Sequence, residues 1–140
     1  MRTLFILQAV LIAIVGAVHI IALRLYLYWL FPWLDTFVHF AGALWVALAA
    51  VWLLAALHQQ TSFIRILVIL VLVSIGWELF EFWGGIPREA NFAFDTSLDL
   101  LMDSLGGISG YLLARRIVAR DTIGNHGTSQ GDPSQSRLSA

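Results

Sequence analysis

Acidic side chains recur at helical spacing next to the most apolar parts of this chain. Glu78 and Glu81 stand three positions apart near the end of one apolar run, and Asp95, Asp99 and Asp103 begin another in steps of four. Residues three or four apart share one face of a helix, so each set predicts a stripe of carboxylates. Clustered carboxylates bind divalent cations or, inside a membrane, relay protons. The spacing therefore predicts a site for a cation or for protons.

A third stripe adds a histidine to this set. Asp35 and His39 are four positions apart at the start of a further apolar run, and Gly42 continues the same face. The stripe of Asp99 and Asp103 likewise continues into glycine, at Gly106 and Gly110. Small residues mark close helix contacts in lipid, so these faces are predicted to point into a helix bundle and not towards lipid.

The composition requires a membrane protein. The 140 residues suffice for one domain, of which 59% are hydrophobic and 12% charged, with a mean hydropathy of +0.82. A soluble domain of this size needs more polar surface. The net charge of −1 gives no electrostatic basis for binding nucleic acid. The absence of cysteine excludes disulfides and thiolate metal sites.

Four stretches are predicted to cross the bilayer, each close to the roughly 20 residues that a helical span needs. Lipid offers no backbone hydrogen bonds, so the spans are expected to be helices. The predicted fold is all-α: a polytopic integral membrane protein with a four-helix transmembrane domain over 1–120 and a disordered cytoplasmic tail over 121–140. The predicted spans are 4–23, 37–57, 63–83 and 96–114.

Arginine placement predicts the orientation. With four spans both termini lie on one side, and most of the arginines fall there, whereas Arg24 and Arg88 fall on the other side. By the positive-inside rule both termini are predicted to be cytoplasmic, in a multi-pass protein of the cell membrane. The acidic stripes then gather in the outer half of the bilayer.

Such a cluster needs compensation, because neighbouring carboxylates repel one another. Only Arg24 and Arg88 are predicted on that side, so shared protons or a bound divalent cation are expected. Oxygen ligands suit Mg²⁺, Ca²⁺ or Mn²⁺, and a histidine also admits Zn²⁺ or Fe²⁺. The predicted metal ligands are Asp35, Glu78, Glu81, Asp99 and Asp103.

Ordinary structural roles compete with this interpretation. Asp95 before Thr96 and Asp35 before Thr36 are typical of helix N-caps. Glu81 is close enough to a helix end to be solvated. These alternatives are weakest for the side chains that lie deeper, namely His39, Glu78, Asp99 and Asp103.

Three ordered blocks resemble a known family. DTFVHFAGALW, WELFEF and DTSLDLLMDSLGGISGYLL, which together lie within 35–116, are similar to the YjdF-like family of small membrane proteins of unknown function. More distantly they resemble VanZ-type proteins, which typically carry Asn at the place of Asp103. The resemblance implies a polytopic membrane protein with a polar cluster and no established activity.

Three functions follow from these residues. The first is a metal-dependent enzyme that acts on a lipid or lipid-linked phosphate, with His39, Glu78 and Asp99 as catalytic residues and Arg88 binding the substrate. The second is a proton- or ion-coupled transporter, for which a homodimer would be expected, because four helices are few for a transport pathway. The third is a non-catalytic membrane or envelope module whose acids hold helices together. The sequence alone does not decide whether the protein is an enzyme.

Overall fold

The chain folds into a bundle of helices. A computed structural model of the protein describes residues 1–84 and 92–129. Within those residues every long element is an α-helix, as the apolar composition predicted. The helices are α1 (Arg2–Arg24), α2 (Leu27–Leu30), α3 (Trp33–Ala56), α4 (Phe63–Gly84) and α5 (Phe92–Ser129).

Three of these helices, α1, α3 and α4, are long and apolar enough to cross a membrane. Their outward side chains are largely apolar and exposed, as lipid contact requires. The fourth predicted span is not confirmed, since α5, although it is 38 residues long, contains no described stretch as apolar as those of the other three helices. Its apolar stretch is short because acidic residues precede it and Arg115 and Arg116 follow it.

Helix α3 begins earlier than predicted, immediately after Pro32. Proline suits a helix start, because its ring fixes φ near the helical value and the first backbone N–H groups of a helix have no partner within it. Asp35 therefore lies inside the first turn and is not the N-cap. Asp95 is likewise in the first turn of α5, which begins at Phe92. The N-cap interpretations of both residues are wrong.

Helix α3 is the centre of the bundle and contacts each of the other helices, most extensively α5. Two glycines make that closest contact. A Cβ at Gly106 would collide with the backbone carbonyl of Phe40, and one at Gly110 would collide with the carbonyl of Leu44 and lie 2.9 Å from Ala47 Cβ. These glycines therefore let the two helix backbones touch, as the small-residue pattern predicted.

The two ends of the bundle differ in character. The amino group of Met1 pairs with the carboxylate of Asp121, so the start of α1 lies beside the late turns of α5. The predicted disordered tail is not confirmed: α5 continues to Ser129, and residues 130–140 lie outside the described part. The acidic stripes occupy the other end, where α3 and α5 begin and α4 finishes.

Candidate cation site

Three helices bring their acidic ends together around His39. Helix α3 contributes Asp35 and His39 from its first two turns, α4 contributes two glutamates from its last turns, and α5 contributes three aspartates from its first turns. The predicted convergence of the stripes is confirmed. Among the described residues, the acidic ones at this end are Asp35, Glu78, Glu81, Asp95, Asp99 and Asp103, and with His39 they are called the acidic cluster.

Helix dipoles favour only part of this arrangement. The amino-terminal end of a helix carries partial positive charge and the carboxyl-terminal end partial negative charge. Asp35 and Asp95 are therefore well placed in the first turns of α3 and α5. Glu78 and Glu81 oppose the dipole of α4, since they lie in its last turns. The cluster thus gathers more negative charge than its own backbone compensates.

His39 is a buried polar side chain at the centre of the cluster. It is 5% exposed, and carboxylates face both of its ring nitrogens. Its Nδ1 lies 3.3 Å from Asp103 Oδ1 and its Nε2 lies 3.9 Å from Asp99 Oδ1. A carboxylate can only accept a hydrogen bond, so Nδ1 carries the hydrogen in the neutral ring. In the neutral ring the lone pair of Nε2 then points towards Asp99, whereas in the protonated ring Nε2 also carries a hydrogen and forms an ion pair with Asp99.

The Nε2 atom of His39 has no hydrogen-bond partner among the described residues, although it is buried. At 3.9 Å Asp99 is too far away to serve as one. A buried polar atom normally has a partner, and leaving one without is costly. A protonated ring paired with Asp99, or a cation held between Nε2 and the neighbouring carboxylates, would each give this nitrogen a partner.

Ligand atoms of the cluster form three overlapping groups, in each of which they lie within 4.8 Å of one another. The middle group joins His39, Glu78 and Asp99, one residue from each of α3, α4 and α5. The outer two share members with it: Asp35, His39 and Glu81 form one, and Asp35, Asp95 and Asp99 form the other. One cation, or two in adjacent groups, would find oxygen and imidazole ligands here.

Hydrogen bonds hold the two glutamates in place. Trp77 Nε1 donates to Glu81 Oε1 over 2.9 Å along α4. Thr96 Oγ1 of α5 donates to Glu78 Oε2, also over 2.9 Å, and so ties α5 to α4. Glu81 is only 9% exposed, which shows that its interpretation as a solvated residue is wrong. Both carboxylates are positioned side chains and not mobile surface groups.

His19 of α1 stands apart from the three groups. Its Nδ1 lies 2.6 Å from the hydroxyl of Tyr28, and its ring meets Trp77 edge-on with centroids 5.5 Å apart. Burial, with the charges of Asp35 and Glu81, raises the pKa of Tyr28 well above its ordinary value. The hydroxyl therefore stays neutral, and His19 serves as a hydrogen-bonded packing residue at the edge of the cluster.

A cavity of about 210 Å³ adjoins the cluster. It runs between α1, α3 and α4, and apolar side chains and glycines form most of its wall. His39 and Asp103 line it at the cluster side, together with Ser74 and His19. The cluster therefore has an apolar chamber beside it within the bundle.

The structure rearranges the predicted roles in two places. Asp103, predicted as a metal ligand, belongs to none of the three groups and instead lies behind His39 at Nδ1. Asp95, predicted as a cap, belongs to one of them. Its spacing of four from Asp99 places the two residues on one face of α5, in agreement with the predicted stripe. Arg88, the predicted substrate-binding residue, lies outside the described residues.

Comparison with known proteins agrees with this architecture. The family model described as "Predicted membrane protein (DUF2238)" matches residues 3–120. No curated protein and no solved structure matches the chain. The family match is consistent with the YjdF-like resemblance, whereas a relation to VanZ-type proteins is not shown. With most of its length covered by the match, the chain belongs to the DUF2238 family of predicted membrane proteins.

Proposed function

We propose that the acidic cluster binds a divalent cation, and that the cation acts on the phosphate group of a lipid or lipid-linked molecule. The observation that carries this proposal is the buried Nε2 of His39, which has no hydrogen-bond partner among the described residues and lies 3.9 Å from Asp99 Oδ1. A network whose purpose was only to join helices would be expected to satisfy that nitrogen, because the fold gains nothing from leaving it orphaned.

The distances support a cation. Ligands about 2.1 Å from one ion stand about 3 Å apart at right angles and about 4 Å apart on opposite sides. The 3.9 Å between His39 Nε2 and Asp99 Oδ1 falls inside that range but beyond a hydrogen bond. Mixed oxygen and imidazole ligands suit Mn²⁺ or Zn²⁺ as well as Mg²⁺ or Ca²⁺.

The proposed roles follow from position. His39, Glu78 and Asp99 hold the cation in the middle group, with Asp35 and Glu81 as neighbouring ligands. Asp103 orients the imidazole, as carboxylates behind metal-bound histidines commonly do. The cation would polarise a phosphoryl oxygen and help to generate the attacking hydroxide from water. Arg88 is proposed to bind the phosphate.

The membrane arrangement is part of the proposal. We infer that α5 is the fourth span. Its residues from Asp99 to Ala114 pack along α3, and α3 is long and apolar enough to cross the bilayer. Both ends of the domain would then be cytoplasmic, and the cluster would lie near the outer face of the cell membrane. A lipid phosphate lies at that depth.

Metal content by mass spectrometry tests the cation site. The purified protein is expected to hold metal in stoichiometric amount, and Asp99→Asn with Glu78→Gln to lose it. Asp121→Asn is the matched control, because Asp121 is an acid at the opposite end of the bundle. Metal-dependent release of phosphate from phosphatidic acid would then support the reaction. Metal-free protein after reloading, or equal metal in the double variant, would refute the site.

A proton- or ion-coupled carrier is the second candidate. The observation that favours it is the pair of carboxylates facing both ring nitrogens of His39, an arrangement suited to passing a proton from Asp103 to Asp99. A carrier of this size would be expected to act as a homodimer. Proteoliposome flux that Glu78→Gln abolishes, in protein without bound metal, would place this function ahead of the first.

A further inference from the structure

The cavity lies in a slot between α1 and α4, two helices that both pack against α3 but whose backbones stay apart. Helices α1 and α4 both pack against α3, but no Cα atom of α1 lies within 8 Å of one of α4. The rings of His19 and Trp77 meet across one end of this slot. Its floor is α3, and its walls are two helices that are each apolar enough to cross a membrane.

Two glycines widen the slot without serving helix contact. Gly16 of α1 and Gly42 of α3 both line the cavity, and a Cβ built at either would meet nothing within 4 Å. The glycines of α5 behave in the opposite way, because a Cβ at Gly106 would collide with the α3 backbone. Close packing therefore does not explain Gly16 and Gly42, and the absence of side chains at these two positions leaves the slot wider.

The chemistry of the walls identifies the occupant as a hydrocarbon chain. Val15, Val46 and Val73 give one apolar side chain from each wall and the floor. An apolar cavity of about 150 Å³ holds a benzene molecule, so one of about 210 Å³ takes a somewhat longer run of carbons. The slot lies between two helices that face lipid, so acyl or prenyl chains are the molecules in reach.

The cluster end fixes which way such a chain would lie. His39 and Asp103 belong both to the slot wall and to the cluster. A chain in the slot would thus place its head group beside the proposed cation, and a phosphate is the group that the cation would attract. The acidic cluster without a cation would repel the same phosphate.

We propose that the slot between α1 and α4 binds one hydrocarbon chain of a phosphate-bearing lipid, with its head group at the acidic cluster. This inference rests on the proposed function for the head group, whereas the chain site depends on the slot alone. It narrows the substrate class from soluble phosphates to lipids whose chain enters the protein sideways from the bilayer.

Photolabelling of the full chain in nanodiscs tests the inference. The probe is phosphatidic acid with a diazirine on one acyl chain, and labelled positions are found by mass spectrometry. Filling the slot with Gly16→Val or Gly42→Val is expected to abolish labelling at Val15, Val46 and Val73. Gly76→Val is the matched control, because Gly76 also has open space around it but does not line the slot. Circular dichroism checks that each variant is helical.

Labelling of the slot positions that is lost in a filled variant and kept in Gly76→Val supports the inference. Labelling only of outward residues such as Leu72, or slot labelling unchanged in both filled variants, overturns it. If neither filled variant folds, the labelled positions in the unaltered protein decide between these results. The metal content of the same samples separates the two proposals. If the slot is labelled in protein that cannot bind metal, only the cation site is refuted. If metal is bound but the slot is not labelled, only the lipid slot is refuted.

Discussion

His39 and Asp103 come from different helices, 64 positions apart in the chain, and meet through a 3.3 Å contact between Nδ1 and Oδ1. The contact is possible because α3 and α5 touch one turn further along, where Gly106 lies against the carbonyl of Phe40. The packing of α5 against α3 therefore both orients the imidazole and brings the two helix backbones together. A change to either is expected to alter the other.

Replacing Asp103 by leucine is expected to weaken metal binding without removing a ligand. Loss of a carboxylate behind a metal-bound histidine typically lowers metal affinity about 10–100-fold. Asp103→Asn keeps an oxygen that accepts from Nδ1–H, so it should bind metal more tightly than Asp103→Leu does. Titration of the metal-stripped proteins with Mn²⁺ measures the difference. Equal affinities for the two variants would show that Asp103 does not orient His39.

A methyl-bearing side chain at Gly106 is expected to destabilise the bundle. The atom in its way is the backbone carbonyl of Phe40, which cannot move without shifting α3. Overpacking of this kind costs about 1–3 kcal/mol. Thermal unfolding of Gly106→Val in detergent should occur at a lower temperature than that of the unaltered protein. Gly76→Val should unfold normally, since open space surrounds Gly76, and equal unfolding of the two variants would contradict the close α3–α5 contact.

Removing the hydroxyl of Thr96 is expected to loosen α5 from α4. Thr96 Oγ1 donates to Glu78 Oε2, and an intramolecular hydrogen bond typically contributes about 0.5–1.5 kcal/mol. Thr96→Val keeps the shape of the side chain and removes the donor, whereas Thr96→Ser keeps the donor. Unfolding in detergent should separate the two, with the serine variant close to the unaltered protein. If valine is tolerated as well as serine, the hydrogen bond does not stabilise the bundle.

Tyr28 is expected to make the protein less stable in strong alkali. Its pKa is raised by burial and by the charges of Asp35 and Glu81, so the folded protein holds the phenolic proton more tightly than the unfolded chain does. Stability from this group is complete below about pH 10, the ordinary tyrosine value, and falls as the pH rises above it. Tyr28→Phe should flatten that alkaline decline.

The measurement is unfolding at a series of pH values, with Tyr26→Phe as the control because Tyr26 is exposed. Ultraviolet titration of tyrosinate provides a second readout: Tyr28→Phe should remove the component that ionises last. Loss in that variant of a component that ionises at about pH 10, the ordinary tyrosine value, would show that Tyr28 does not retain its proton.

The length of the apolar runs was enough to predict α1, α3 and α4, and helical spacing was enough to predict the inward faces of the acidic stripes. Asp99 and Asp103 are buried as predicted, because a carboxylate within an apolar helix avoids lipid only by facing the interior of the bundle. The position of Asp103 behind His39 was not predictable in the same way. It depends on the rotation of α5 against α3, which the contacts of Gly106 and Gly110 set.

Helix starts were predicted less well. A local rule assigned Asp35 and Asp95 to N-caps, but both helices begin earlier, and Pro32 provides the start of α3. The interpretation of Glu81 as a solvated residue was wrong for another reason. The position of a residue near a helix end does not determine which side chains contact it, and here the indole of Trp77 donates a hydrogen bond to the Glu81 carboxylate. The slot between α1 and α4 also could not be predicted from the sequence, because the lack of close backbone contact between two helices produces no recognisable residue pattern.

The shared position of His39 has a thermodynamic consequence. This side chain belongs both to the acidic cluster and to the wall of the slot. A molecule in the slot that shifts the imidazole changes the affinity of the cluster for a cation, and reciprocity then requires the cation to change the affinity of the slot by the same factor. Two ligands that both contact His39 would in this way bind cooperatively or antagonistically. Measuring the affinity of either ligand with and without the other would give the coupling free energy between the two sites.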